Sequence, residues 1–116
     1  MVVHFGTWHP IAEANTAAPE ASGVLQIRAE RIMNYESGLS AMVLYACSVP
    51  GETLRQFVAV RGARQLCQAI ADGACWIRFA EVPEPMTELD RLLKGFVNRF
   101  GSLPISNIDR VATSRV

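Results

Sequence analysis

The stretch AMVLYACSVPGETLR (Ala41–Arg55) decides the reading of the fold. Its run AMVLYAC is apolar on both faces, the pattern of a central strand covered on both sides, and the expected strand spans Ala41 to Ser48. Pro50-Gly51 ends it. The segment that follows from Glu52, ETLRQFVAVRGARQ, carries Leu54, Phe57 and Val58, and then Leu66, Cys67 and Ile70, at helical spacing with an interruption at Gly62. Two short helices, or one broken helix, fit this pattern.

Upstream lies a second strand-like run, Gly23 to Arg28 (GVLQIR), in which Val24, Gln26 and Arg28 alternate with Leu25 and Ile27. Ala29-Glu30 reads as a turn into a short further strand, Ile32 to Tyr35, before Ser37-Gly38 breaks the pattern. Downstream, Asp72-Gly73 is a turn signal and Cys75 to Val82 (CWIRFAEV) has strand character. Trp76 and Phe79 have opposite parity on that strand, so they face opposite ways. The last helix has Thr87 with Asp90 as a candidate capping box and an apolar stripe of Leu89, Leu92, Leu93, Phe96, Val97 and Phe100. Gly101 stands at its C′ position, with Pro104 beyond. The expectation is an α+β fold in β-β-α-β-α order, a small central sheet flanked by helices.

At 116 residues, half of them apolar, the chain is the size of one domain with one core. Residues 1–21 read as an N-terminal arm packed on the domain, residues 22–104 as the α+β domain, and residues 105–116 as a C-terminal tail or docked strand. Formal charge is zero and the pI is about 6.7, which excludes a global positive field that would draw the protein onto DNA or anionic lipid. Any anion or nucleic-acid site must be a local patch. The first ten residues lack a basic region followed by an apolar core, and no apolar run is long enough to span a bilayer, so the expected location is the cytoplasm, without a membrane partner. Cys47, Cys67 and Cys75 are odd in number and lack close spacing, so they read as buried free thiols.

The order of elements, with LYACS followed by ETLRQF and a closing helix ending RFGSLP, resembles a divergent GIY-YIG domain over about residues 22–104. In that resemblance the first motif falls at Gly23-Val24-Leu25, keeping the glycine without the tyrosine, and the second at Tyr45-Ala46-Cys47, keeping the tyrosine without the glycine. Arg55 stands where the family carries its catalytic arginine, and Glu88 lies on the helix that carries the metal-binding glutamate, at its first turn; Lys94 stands deeper in that helix. What the resemblance implies is a degenerate scaffold: phosphodiester hydrolysis of this type needs a divalent cation at the phosphorus, and the carboxylate that would hold it is displaced.

The remaining candidates each carry a plain structural reading beside the functional one. Tyr45 would position a nucleophile or sit in the core with its hydroxyl near the surface. Arg55, Arg61, Arg64 and Arg78 would form a phosphate-binding face or a solvated face paired with Glu52, Asp72 or Glu81. Trp76 would stack on a planar ligand. His4 and His9 have a spacing that fits no metal motif, which favours a packing or surface role, and Cys47 has no base nearby in sequence and reads as a buried structural thiol. The function expected is a non-enzymatic binding module that uses Arg55, Arg61, Arg64, Trp76 and Arg78 to hold an anionic or planar ligand, a nucleic acid or a protein. The alternative is a metal-dependent phosphodiester nuclease with Tyr45 and Arg55 as catalytic residues and Glu88 as metal ligand. No cofactor is expected apart from a divalent metal in the nuclease reading. Self-association through the apolar arm or an open sheet edge is a third way for the chain to act.

Overall fold

Strand β2 (Gly23–Tyr35) is the long central ribbon on which the other elements are arranged. It pairs on one side with β3 (Gly38–Cys47), through a hairpin closed by Glu36-Ser37, and on the other with β4 (Ala74–Glu81). A two-residue strand in the arm, β1 (His9–Pro10), lies on the outer edge of β4, so the sheet order is β1-β4-β2-β3 and every pairing is antiparallel. This computed structural model describes residues 3–108, and the final stretch of the expected tail, 109–116, lies outside the described residues.

Three strand expectations are corrected by this arrangement. The AMVLYAC run is at the edge of the sheet, and the central position belongs to β2. Its burial on both faces is real, since Val43 to Cys47 are all buried, but helices on both faces produce it without a second neighbouring strand. The turn expected at Ala29-Glu30 is absent. β2 runs on through it, taking up the irregularity as shifts of register against β3 between Ile27 and Met33, the signature of a bulge that bends and twists a continuous strand. Strand ends also move: β3 begins at Gly38 and β4 covers Ala74–Glu81.

The helices follow from local chemistry. A short α1 (Ala14–Ala17) stops before Ala18, whose backbone is extended because Pro19 disfavours helical backbone in its predecessor. Thr53 caps α2 (Leu54–Gln56): its side chain accepts from the Gln56 N–H while the Gln56 side chain accepts from the Thr53 N–H, a reciprocal capping box. A π-turn over Phe57–Arg61 then leads through Gly62 into α3 (Ala63–Ala71), so the expected break is present. The capping box expected at Thr87 and Asp90 is absent. α4 (Pro85–Phe100) starts two residues earlier with Pro85 in its first turn, where the missing N–H costs nothing, and no side chain caps it. Its C-terminal end is as expected: Gly101 has φ +83°, its N–H bonds the Val97 carbonyl at 2.8 Å, and a Cβ there would lie 2.8 Å from Ser37 Oγ.

Both faces of the sheet are covered. Leu25, Ile27, Leu44, Ile77 and Phe79 form the main core with Leu54, Phe57, Val58, Leu66 and Ala69 from the α2–α3 segment and Ala14 and Ala18 from the arm. On the other face, Val24, Cys47, Ala80 and Val82 pack with Leu89 and Leu92 of α4 and with Val3 and Phe5 of the arm. Gly23 permits the close approach of β2 to β4, since a Cβ at that position would come within 2.1 Å of the Ala80 carbonyl oxygen. Among the described residues no helix is long and apolar enough to cross a membrane.

Candidate anion-binding site

The face of the sheet shared by α4 and the arm carries a line of polar side chains set by cross-strand registry. Gln26 of β2 stands opposite Tyr45 of β3 and opposite Arg78 of β4, while Arg28 stands opposite Trp76. Directly opposed side chains on one face are close enough to bond. Arg78 Nε donates to Gln26 Oε1, and Gln26 Nε2 donates to the Tyr45 hydroxyl at 3.0 Å. Gln26 is only 5% exposed, so this chain of bonds satisfies a buried amide while fixing its orientation. Because Tyr45 Oη accepts, its own proton is left to donate elsewhere. Burial pushes the Tyr45 phenol above its ordinary value, with Gln26 and Arg78 pulling the other way, so at neutral pH it is a donor.

The arm completes the site from above. The guanidinium carbon of Arg78 lies 4.9 Å from the ring centre of Phe5 and 4.4 Å from that of Trp8, and that of Arg28 lies 4.7 Å from Trp8 and 5.9 Å from Trp76. Aromatic and cationic groups therefore alternate by contact from Phe5 through Arg78, Trp8 and Arg28 to Trp76. Each such contact is worth about 0.5–2 kcal/mol, so the series fastens the arm to β2 and β4. Burial lowers the Arg78 pKa from its ordinary value, opposed by Tyr45 and reinforced by the neighbouring charge of Arg28. Neither guanidinium forms an ion pair among the described residues, and Arg28 Nε is buried without a hydrogen-bond partner.

Stacking occupies the faces of a guanidinium and leaves its N–H edges free. Arg28 and Arg78 are thus two like charges on one indole, half-buried, with Arg28 Nε unpartnered, a donor arrangement of the kind that acceptor-rich anions satisfy. Trp76 and Arg78, expected from sequence, belong to it, and Tyr45 joins them. Gln26, Arg28, Phe5 and Trp8 were missed as site residues. The available signal was the shared parity of Gln26 and Arg28 in GVLQIR, which puts a buried amide and an arginine on one face of a strand.

The other expected residues go elsewhere. Arg55 Nε donates to the Ala18 carbonyl at 2.9 Å and Nη2 to the Thr16 carbonyl at 3.2 Å, with Glu20 at 3.3 Å, so it straps the arm to α2. Arg61 grips both carboxylate oxygens of Glu52, donates to the Cys47 carbonyl at 3.0 Å and lies over Phe57. Arg64 is exposed on α3. Glu88 is 5% exposed, with Oε1 3.4 Å from Arg91 and Oε2 unpartnered, and it does not line the cleft beside Tyr45. That cleft, about 400 Å³, runs along the outer edge of β3 between Arg61 and Gln65 on one side and Met86 and Leu93 of α4 on the other. Cys47 is buried beside it, its thiol pushed up by desolvation against the pull of Arg61, whereas Cys67 is exposed and Cys75 half-buried, so the expectation of three buried thiols holds for Cys47 alone. Among the described residues no three His, Cys, Asp or Glu side chains converge as a metal site, and His9 takes part in the two-residue strand of the arm.

Comparison of the chain with models of protein families, with curated proteins and with solved structures finds no match.

Proposed function

We propose that this chain is a non-enzymatic binding module, on a scaffold similar to a degenerate GIY-YIG domain, that holds a phosphate- or carboxylate-bearing ligand between Arg28 and Arg78. The observation that carries this reading is the pair of guanidiniums packed against one indole, Trp8, with no acidic partner among the described residues. An anion bridging them relieves their mutual repulsion and satisfies donors that otherwise face partial burial unpaired, with charge-assisted hydrogen bonds worth about 1.5–3 kcal/mol each. The Tyr45 hydroxyl, oriented by Gln26, is a further donor on the same line.

Binding is favoured over hydrolysis by what the other residues do. Arg55 is engaged by the arm, and Glu88 is engaged by Arg91. A protonated Tyr45 is a poor nucleophile and a poor base. A nuclease reading expects cleavage of single- or double-stranded DNA with magnesium or manganese; none above background is expected here, and cleavage abolished by Arg55→Ala would overturn the proposal.

Both tryptophans of the chain contact Arg28, so intrinsic fluorescence reports on the site directly. Titration with inorganic phosphate, pyrophosphate, a mononucleotide and a short oligonucleotide should give a saturable change for at least one probe, lost in Arg28→Ala and in Arg78→Ala and retained in Arg64→Ala. No saturable change with any probe, or equal loss in Arg64→Ala, would sink the reading. The salt dependence separates polymer from small anion: two phosphate contacts give a log–log slope of only about −1.4 on a single strand and −1.8 on a duplex, so a much steeper slope would require contacts beyond this pair.

A further inference from the structure

Helix α4 turns one apolar stripe inward, through Leu92 and Phe96, and carries a second that no element of the described chain covers. Met86, Leu93 and Val97 repeat at spacings of seven and four, the a/d rhythm of a helix seam, with Met86 59% and Val97 37% exposed and Leu93 half-buried. Grooves of about 400 and 410 Å³ flank this stripe, and Asp90 and Leu93 line both of them. Asp90 and Lys94 lie on the same face, bonded to each other at 2.9 Å and both well exposed.

We propose that this face of α4 pairs with the same face of a second copy of the chain, the two helices running antiparallel about a two-fold axis level with residues 91 and 92. The pattern is self-complementary only in that orientation. An antiparallel partner sets Met86 against Val97 of the other copy at each end of the seam. The two Leu93 side chains lean toward their helix N-termini and meet near the axis. Asp90 then faces Lys94 of the second copy, and Lys94 faces its Asp90, so both charges exchange or share partners across the interface. A parallel pairing would place Asp90 on Asp90 and Lys94 on Lys94, a like-charge clash in an interface core. An isologous contact of this kind closes on itself and leaves no propagating surface.

The size of the stripe sets the strength. A sixteen-residue helix is about 24 Å long and, at a width near 11 Å, offers roughly 260 Å². A stable interface buries about 800 Å² per partner, so even with the groove walls engaged the dimer is a weak, concentration-dependent one.

The test is sedimentation velocity of the full chain from the low micromolar to the millimolar range. Wild type should rise from monomer toward dimer. Asp90→Lys and Lys94→Asp should each stay monomeric, because each places like charges opposite one another twice, and an equal mixture of the two should associate again as a heterodimer. These side chains are exposed, so circular dichroism should show both variants folded, and fluorescence titration at Arg28 and Arg78 should be unchanged in them. A wild-type chain that stays monomeric throughout, single variants that associate like wild type, or a mixture that fails to recover association would each overturn the proposal.

Discussion

The carboxamide of Asn107 takes both backbone groups of Tyr45: the Tyr45 N–H donates to Asn107 Oδ1 at 3.0 Å, and Asn107 Nδ2 donates to the Tyr45 carbonyl at 2.9 Å. A side chain thus presents to the edge of β3 the donor and acceptor that a neighbouring strand would have presented. Farther along, Arg61 bonds the Cys47 carbonyl and the Tyr35 hydroxyl bonds the Met42 carbonyl. An edge strand with its polar groups occupied is a poor template for unwanted pairing. Asn107→Ala should lower stability by about 1–3 kcal/mol, two net hydrogen bonds, read from urea unfolding. Asn107→Asp, nearly isosteric, keeps the acceptor and loses the donor, and should fall at or below the alanine variant because its carboxylate opposes the Tyr45 carbonyl. An aspartate variant as stable as wild type would show that shape, and not hydrogen bonding, closes the edge.

Leu44 is fully buried in the main core although its strand is at the sheet edge. Leu44→Asp should cost more than about 4 kcal/mol, since it puts an unpaired charge among Leu25, Ile27 and their neighbours. That is a large share of the stability of a typical domain. A melting temperature near wild type would mean that the side chain does not face the core.

The hydrogen bonds from Arg61 hold the Glu52 carboxyl below its ordinary value of 4.5, opposed by desolvation and helped by the Val49 N–H. With the folded pKa depressed, this pair contributes its stability above the ordinary value and loses it as pH falls through the folded one. Glu52→Gln should therefore flatten the decline in melting temperature on the acid side of about pH 4.5. At neutral pH its cost should stay within about 1 kcal/mol, because the Arg61 side chain is about half open to solvent. Parallel acid profiles for the two proteins would remove Glu52 as a source of acid sensitivity.

Arg55 ties the arm at Thr16, Ala18 and Glu20, whereas Trp8 ties it at the other end through Arg28 and Arg78. Arg55→Ala should raise hydrogen exchange of residues 14–20 and leave phosphate titration at the tryptophans unchanged. Trp8→Ala should loosen the first residues of the described arm and lower the melting temperature by an amount corresponding to about 1–4 kcal/mol, from two cation–π contacts. If Arg55→Ala abolished anion binding, the division between strap and site would be wrong.

Much of the local structure was legible in the residues. Helical spacing in ETLRQFVAVRGARQ with its break at Gly62, the left-handed terminus at Gly101 and the β-β-α-β-α order all depend on periodicity and backbone freedom within a few positions, which a chain displays without being folded. The start of α4 was misread for an equally local reason: Pro85 preempts Thr87 by fixing the first turn upstream of it. The site was legible only in part, because Trp76 and Arg78 show their shared parity while their partners stand on other elements.

By itself, then, the sequence determined most of the segments that become strands and helices, and which of their faces are apolar, because hydrophobic period and backbone freedom are local quantities. Folding alone decided that GVLQIR, and not AMVLYAC, is central, since apolar patterning records the covering of faces and carries no record of which backbone edge finds a strand and which finds Asn107. It also decided which arginines meet. Arg28 and Arg78 are brought together with Trp8 by the registry of β2 on β4 and by the arm laid across them, contacts between distant parts of the chain whose energy exists only after the loops between them have closed.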